Sequence, residues 1–245
     1  MSDQKVRLSK RMSELGICSR READELIVDG LVLVDGEVQS ELGVKVFPHQ
    51  TITLAKEAQK HLQSKVTILL NKPVGYVSNL PEKGYPPALS IITKDRQDPQ
   101  FAKDLRLDPG HLMGLACAGR LDIDSKGLLV LTQDGRVAKQ LVGENSNIEK
   151  EYVVWYEGSI SDEAIEKLRF GLALDGKPLK LAKIQRTGPG KLQFILREGR
   201  KRQIRRMCEL VSLKVTGLKR VRVGKIQLGG LQEGMWRFLK EGESF

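Results

Sequence analysis

Gly119-Arg120-Leu121-Asp122, continued by Ile123-Asp124-Ser125-Lys126-Gly127, sets one carboxylate beside one guanidinium in a turn. The apolar run at 128–131 that follows has the length and composition of a buried strand. Glycines on both sides allow the backbone to approach another group closely. The chemistry on offer is that of a single acid next to a base, and four residues alone do not separate such a site from an ordinary surface turn. Other chemistries are poorly supplied. His49, His61 and His111 are scattered, and Cys18, Cys117 and Cys208 lack zinc spacing. We therefore expect no metal centre, no histidine-centred triad and no bound cofactor.

Charge gives the second signal. The chain of 245 residues carries a net charge of +10, yet residues 1–65 hold ten Lys/Arg and ten Asp/Glu. Residues 197–225 hold eleven basic and two acidic side chains, a local excess of +9. So concentrated a positive segment fits a polyanion, most simply nucleic acid. Within it, residues 201–211 have a helical period: Ile204, Met207, Cys208 and Val211 make one apolar stripe. Arg202, Arg205 and Arg206 then fall on the opposite side, pointing out toward RNA or an acidic site. The hydrophobic fraction of 40% supports a sizeable core. No apolar run approaches a membrane span, residues 1–10 have no signal-peptide core, and the three unpaired cysteines fit a reducing compartment. These features place the protein in the cytoplasm.

The elements that would hold these groups fall into two units. In the first, residues 7–15 read as a helix. Ser19-Arg20-Arg21-Glu22 is a capping box that opens a second helix, ended by Gly30. A hairpin follows across Asp35-Gly36, then short strands near 44–46 and 51–54. Its cations Lys5, Arg7, Lys10, Arg11, Arg20 and Arg21 precede seven acids between Glu22 and Glu41, so the basic part could face phosphates. Residues 56–65 read as a polar linker. The second unit opens with a strand at 66–70, after which Pro73 and Gly75 put Lys72 on a loop. Residues 80–111 read as a long loop with one helical turn at 88–92. Next come a strand at 128–132, a turn at Asp134-Gly135 and a helix at 136–142. A strand at 150–156 and a helix capped by Ser161 follow. Then come a hairpin across Gly188-Pro189-Gly190, the basic helix, a strand at 214–223 and two closing strands at 226–231 and 235–239. Strands joined by hairpins favour an α+β fold with a largely antiparallel mixed sheet flanked by helices.

The N-terminal pattern, Leu8-Ser9-Lys10 through Gly16-Ile17-Cys18-Ser19-Arg20-Arg21-Glu22-Ala23-Asp24 to Gly30-Leu31-Val32-Leu33-Val34-Asp35-Gly36, resembles the S-four-like RNA-binding module. Three further stretches line up with it: the Gly119–Asp122 motif, Lys150-Glu151-Tyr152, and Glu198-Gly199-Arg200-Lys201-Arg202-Gln203-Ile204-Arg205-Arg206-Met207. With Asn71-Lys72-Pro73-x-Gly75 they resemble the RsuA/RluB/RluE/RluF family of pseudouridine synthases, from residue 5 to near the end. The third stretch is most similar to the RluF branch, although Lys201 stands where that branch usually has Asn. The resemblance implies an S-four-like RNA-binding domain at 5–62 and a synthase domain at 66–245, working without cofactor or metal. It implies Asp122 as the nucleophile, Arg205 as its basic partner, and Tyr152 packed on the target base and helping to remove the ring proton. Arg120 would fill the stack left by an extruded uridine. Lys72, Arg202 and Arg206 would contact phosphates, with Gln203 also in substrate binding, and Arg7, Lys10, Arg11, Arg20 and Arg21 would bind RNA from the first domain. The implied partner of this monomeric, membrane-free protein is RNA, foremost large-subunit ribosomal RNA. The alternatives are tRNA or small-subunit rRNA as substrate, and a non-catalytic RNA-binding or ribosome-assembly factor.

Overall fold

A computed structural model describes residues 4–79, 84–101, 105–143 and 146–245. The first unit contains helices α1 (Leu8–Glu14) and α2 (Arg20–Val28). The capping box that opens α2 is formed: Ser19 Oγ accepts from the Glu22 amide at 3.3 Å, and the Ser19 amide donates to Glu22 Oε2 at 2.9 Å. Strands β1 (Val32–Val34) and β2 (Glu37–Gln39) form the expected hairpin, and β3 (Ile52–Leu54) pairs with the other edge of β1. Residues 56–65 differ from expectation. Most of them form helix α3 (Lys56–Gln63), whose Ala58 and Leu62 are buried in the same small core as Leu8, Met12, Ile27 and Val32. An i, i+4 apolar pair on an otherwise polar helix suffices to dock it.

The second unit is built on a nine-stranded sheet. Its main strands are β4 (Thr67–Lys72), β5 (Lys126–Thr132), β6 (Lys150–Glu157), β7 (Lys183–Gly188), β8 (Lys191–Leu196), β9 (Lys214–Val223) and β10 (Trp236–Phe238). Their spatial order is β7-β8-β6-β9-β5-β4-β10. Among these described strands, the β9–β5 junction alone is parallel. Two short strands pair off this path: Ala116–Cys117 with β5 and Ile226–Gln227 with β9. The first closing strand, expected at 226–231, is thus only two residues long. Alternate residues of β4 and β5 enter different cores, because side chains alternate across a strand. Ile68, Leu70, Leu129 and Leu131 join the core under α5 (Asp162–Arg169) and α6 (Gln203–Glu209). Leu69, Leu128 and Val130 join the opposite one, against Leu141 of α4 (Gly135–Val142) and Phe245. Within 84–101 and 105–111 the long loop holds three short 3-10 turns, with Ala88, Ile91, Ile92 and Leu107 buried in the larger core. The rest of the loop lies outside the described residues.

Gly127 and Gly135 are among the glycines that close approaches require. Gly127, with φ +104°, sits where β5 meets the backbone of Arg220, leaving no room for a Cβ. Gly135 opens α4 directly against Ser19 and Glu22 of the first unit. At that junction Arg136 Nη1 donates to Gly16 O at 3.4 Å and Lys139 Nζ to Ser13 Oγ at 3.2 Å. Lys65 and Glu22 form an enclosed ion pair there. Among the described residues no helix is long and apolar enough to cross a membrane.

Candidate active site

Asp122 sits within the segment, residues 118–125, that links the Ala116–Cys117 strand to β5. Neighbouring backbone holds this segment in place. Ser78 Oγ donates to Leu121 O and accepts from the Leu121 amide, both at 2.8 Å, and the Gly75 amide donates to Ile123 O at 2.9 Å. The Ser125 amide closes a tight turn onto Asp122 O at 3.0 Å. The segment borders a cleft of about 680 Å³ whose walls include Arg120, Asp122, Ser125, Lys150, Tyr152, Arg202, Gln203, Arg205 and Arg220. Three motifs far apart in the chain thus meet in one cavity. Tyr152, buried on β6, stands directly across from Arg220 of β9 in the sheet register.

Arg205 does not pair with Asp122. Its Nη2 donates to Asp124 O at 2.9 Å and lies 3.2 Å from the Asp124 carboxylate, while Nη1 donates to Val215 O at 3.2 Å. Arg202 grips the same carboxylate with both terminal nitrogens, at 3.1 and 3.3 Å. Of the expectation that Arg205 points out toward RNA or an acidic site, only the acid is met: the side chain reaches Asp124, but the residue is buried, 8% exposed. The physical reason is that α6 is covered on two sides. Its apolar stripe faces the sheet, and the 122–125 turn brings Asp124 across the guanidinium side. Arg205 Nε is buried without a hydrogen-bond partner among the described residues.

Lys72 also departs from expectation. It is the last residue of β4, fully buried, and its Nζ donates to Pro73 O and Tyr76 O at 2.8 and 2.9 Å. The loop expected to display Lys72 curls back instead and presents carbonyls to it, so its ammonium is not offered to phosphate. Burial pushes the Lys72 pKa down to about 8, and the negative charges of Asp124 and Asp122 oppose that shift. Gln203 is buried at the cleft wall, with its amide engaged by Glu198 and by the Arg200 amide. Arg206 lies outside the cleft, paired with Asp175 at 2.6 and 3.0 Å. Arg120 is exposed on the rim. In the first unit Arg7, Lys10, Arg20 and Arg21 are exposed, whereas Arg11 is half-buried with Nη2 on Pro48 O at 3.0 Å.

Sequence reasoning misses four groups of this site: Asp124, Ser125, Lys150 and Arg220. The first two lie inside the recognised motif, and Lys150 is two residues from Tyr152, on the same strand face. Burial pushes Lys150 down to about 8, with Arg220 and Lys180 adding repulsion. Arg220, 3% exposed, donates to Leu128 O at 2.7 Å and to Arg120 O at 3.3 Å, tying the base of β5 to the Asp122 segment. No sequence signal marks it apart from the basic run. Among the described residues no cluster of three His, Cys, Asp or Glu could hold a metal ion. The site is a cationic cleft lined by two acids: Glu198 accepts from Gln203 and the Lys180 amide, whereas no described residue donates to the Asp122 carboxylate, the nearby arginines going to Asp124 instead.

Comparison with known proteins gives concordant results. Residues 66–210 match the family profile described as RNA pseudouridylate synthase, and residues 6–52 match the S4 domain. A relative from Aquifex aeolicus, named an uncharacterized RNA pseudouridine synthase, is 34% identical over 242 residues, spanning 97% of this chain and 92% of its own. The dual-specificity RNA pseudouridine synthase RluF of Escherichia coli K12 is 33% identical over 245 residues, spanning 99% of this chain and 78% of its own. A crystal structure described as pseudouridylate synthase superposes with a TM-score of 0.64 at 25% identity, covering 96% of both chains.

Proposed function

This chain belongs to the RNA pseudouridylate synthase family and isomerises uridine to pseudouridine in RNA, and from that premise we propose that Asp122 carries the reaction. The isomerisation breaks the bond between ribose C1′ and uracil N1, turns the base, and joins C1′ to C5. No redox change and no net water are involved. Asp122 acts as the nucleophile that the detachment step requires. The single observation that carries this reading is that Asp122, Tyr152 and Arg205 border one cleft although they are separated in the chain. Tyr152, on the cleft wall, packs on the base and takes part in removing the C5 proton. A carboxylate enclosed with a base would tend to protonate, and the surrounding cations oppose this. Lys72 and Arg202 interact with Asp122 through space. Arg205 acts through the turn it holds, and its unpartnered Nε leaves one donor for the substrate-bound arrangement.

A uridine in folded RNA must be extruded to reach this cleft, and Arg120 on the rim is suited to fill the vacated stack. The excess positive charge of 197–225 attracts the phosphates, and the exposed cations of the first domain extend the interface. We take residues 5–62 and 66–245 as the two domains, large-subunit ribosomal RNA as the substrate, and a cytoplasmic monomer as the working form. The test incubates large-subunit rRNA, small-subunit rRNA and tRNA separately with the wild type and with Asp122→Asn, then maps pseudouridine chemically. Conversion of large-subunit rRNA by the wild type alone is expected. Conversion by Asp122→Asn at the wild-type rate would remove Asp122 from the mechanism, and conversion of only another RNA would reassign the substrate.

A further inference from the structure

We propose that Ser125 is a positioning residue for the isomerisation, its hydroxyl donating a hydrogen bond to the Asp122 carboxylate once substrate occupies the cleft. The proposal rests on the reading of Asp122 as the reacting acid. Ser125 is 1% exposed and borders the cleft together with Asp122. Its Oγ is buried and has no hydrogen-bond partner among the described residues. An unpaired buried hydroxyl costs stability that an alanine would not. The fold alone therefore gives no reason for serine here.

The geometry supplies the partner. The Ser125 amide bonds to Asp122 O at 3.0 Å, so the two residues are the ends of one tight turn. Both terminal nitrogens of Arg202 and Nη2 of Arg205 are committed to Asp124, and no described residue donates to the Asp122 carboxylate. One short turn thus carries a buried donor without an acceptor and an acid without a donor. A buried polar group left unsatisfied in a native structure calls for an explanation, a catalytic role among them. A hydrogen bond to the charged form of an acid also favours that form, which is the state a nucleophile needs.

The test compares wild type, Ser125→Ala, Ser125→Thr and Asp122→Asn. The measurements are single-turnover rate against pH, RNA affinity and thermal melting. Ser125→Ala is expected to melt no lower than wild type, to bind RNA within a few-fold, and to turn over about 10- to 100-fold slower, the range for a hydrogen bond to a charged group. The acid limb of its rate profile should move to higher pH, and threonine should restore both rate and limb. The proposal is overturned if Ser125→Ala keeps the wild-type rate and acid limb, if its defect lies only in affinity, or if rate and melting temperature fall together. Asp122→Asn separates the two readings. If it stays active, the assignment of Asp122 fails. If it is inactive while Ser125→Ala behaves as wild type, only the role of Ser125 fails.

Discussion

At the scale of single residues, the site is a division of labour between two aspartates on one turn. Asp124 takes the arginines and Asp122 is left open to the cleft. Asp122→Ala should therefore abolish turnover while leaving RNA affinity within a few-fold. A filter-binding titration showing a large loss of affinity would contradict a purely chemical role. Asp124→Asn should act on stability first, because it strips the carboxylate from Arg205, whose side chain is only 10% exposed. Asp124 is itself 45% exposed, so solvent screening keeps the loss to ~1 kcal/mol, or ~2–4 °C in melting temperature for a chain of this size. The two depressed lysines give a pH signature. Lys72 and Lys150, each held at about 8 by burial, are charged at neutral pH and lose their protons above it. Because Lys150 borders the cleft, RNA affinity at fixed salt should fall between pH 7 and 9, and less so in Lys150→Gln. Stability should move the other way. The unfolded chain keeps both protons up to the ordinary lysine value of 10.5, so it binds more protons than the native state between 8 and 10.5, and stability rises there.

At the scale of elements, the informative joint is α4 against the α1–α2 connection. Asp134-Gly135 reads locally as a turn, and Asp134 does cap α4, its carboxylate accepting from the Arg136 amide at 2.8 Å. The glycine has a second reason, because Ser19 and Glu22 occupy the space a side chain would need. Gly135→Ala should cost ~1–3 kcal/mol, as overpacking does. The loss should fall on the docking of the first unit, not on the sheet. Limited proteolysis should then cut faster around 63–66 while the melting of the sheet holds. Unchanged proteolysis would mean that the joint is loose already.

At the scale of the whole molecule, a neutral first unit precedes a basic second one, and the proposed function has both engage the same RNA. Arg7, Lys10, Arg20 and Arg21 are exposed, so replacing all four with Gln should leave stability within about 1 kcal/mol of wild type. For every phosphate left without its cation, the plot of log affinity against log salt should flatten by ~0.7–0.9. An unchanged slope would mean that the first domain does not touch the RNA backbone.

The sequence alone determined what is local: the capping box at Ser19–Glu22, the hairpin at Asp35-Gly36, the strand after Gly127, and the three motifs that carry Asp122, Tyr152 and Arg205. These depend on backbone preferences and residue types within a few positions, and on a motif resemblance that needs no tertiary structure. The folded chain decided which aspartate Arg205 holds, that Lys72 is buried at a strand end, that 56–63 is a helix packed on the first core, and that β9 and β5 run parallel. Each is set by contacts between segments distant in the chain. Side-chain charge shows that a cation needs a partner, but only the folded path shows which acid is near enough to be one.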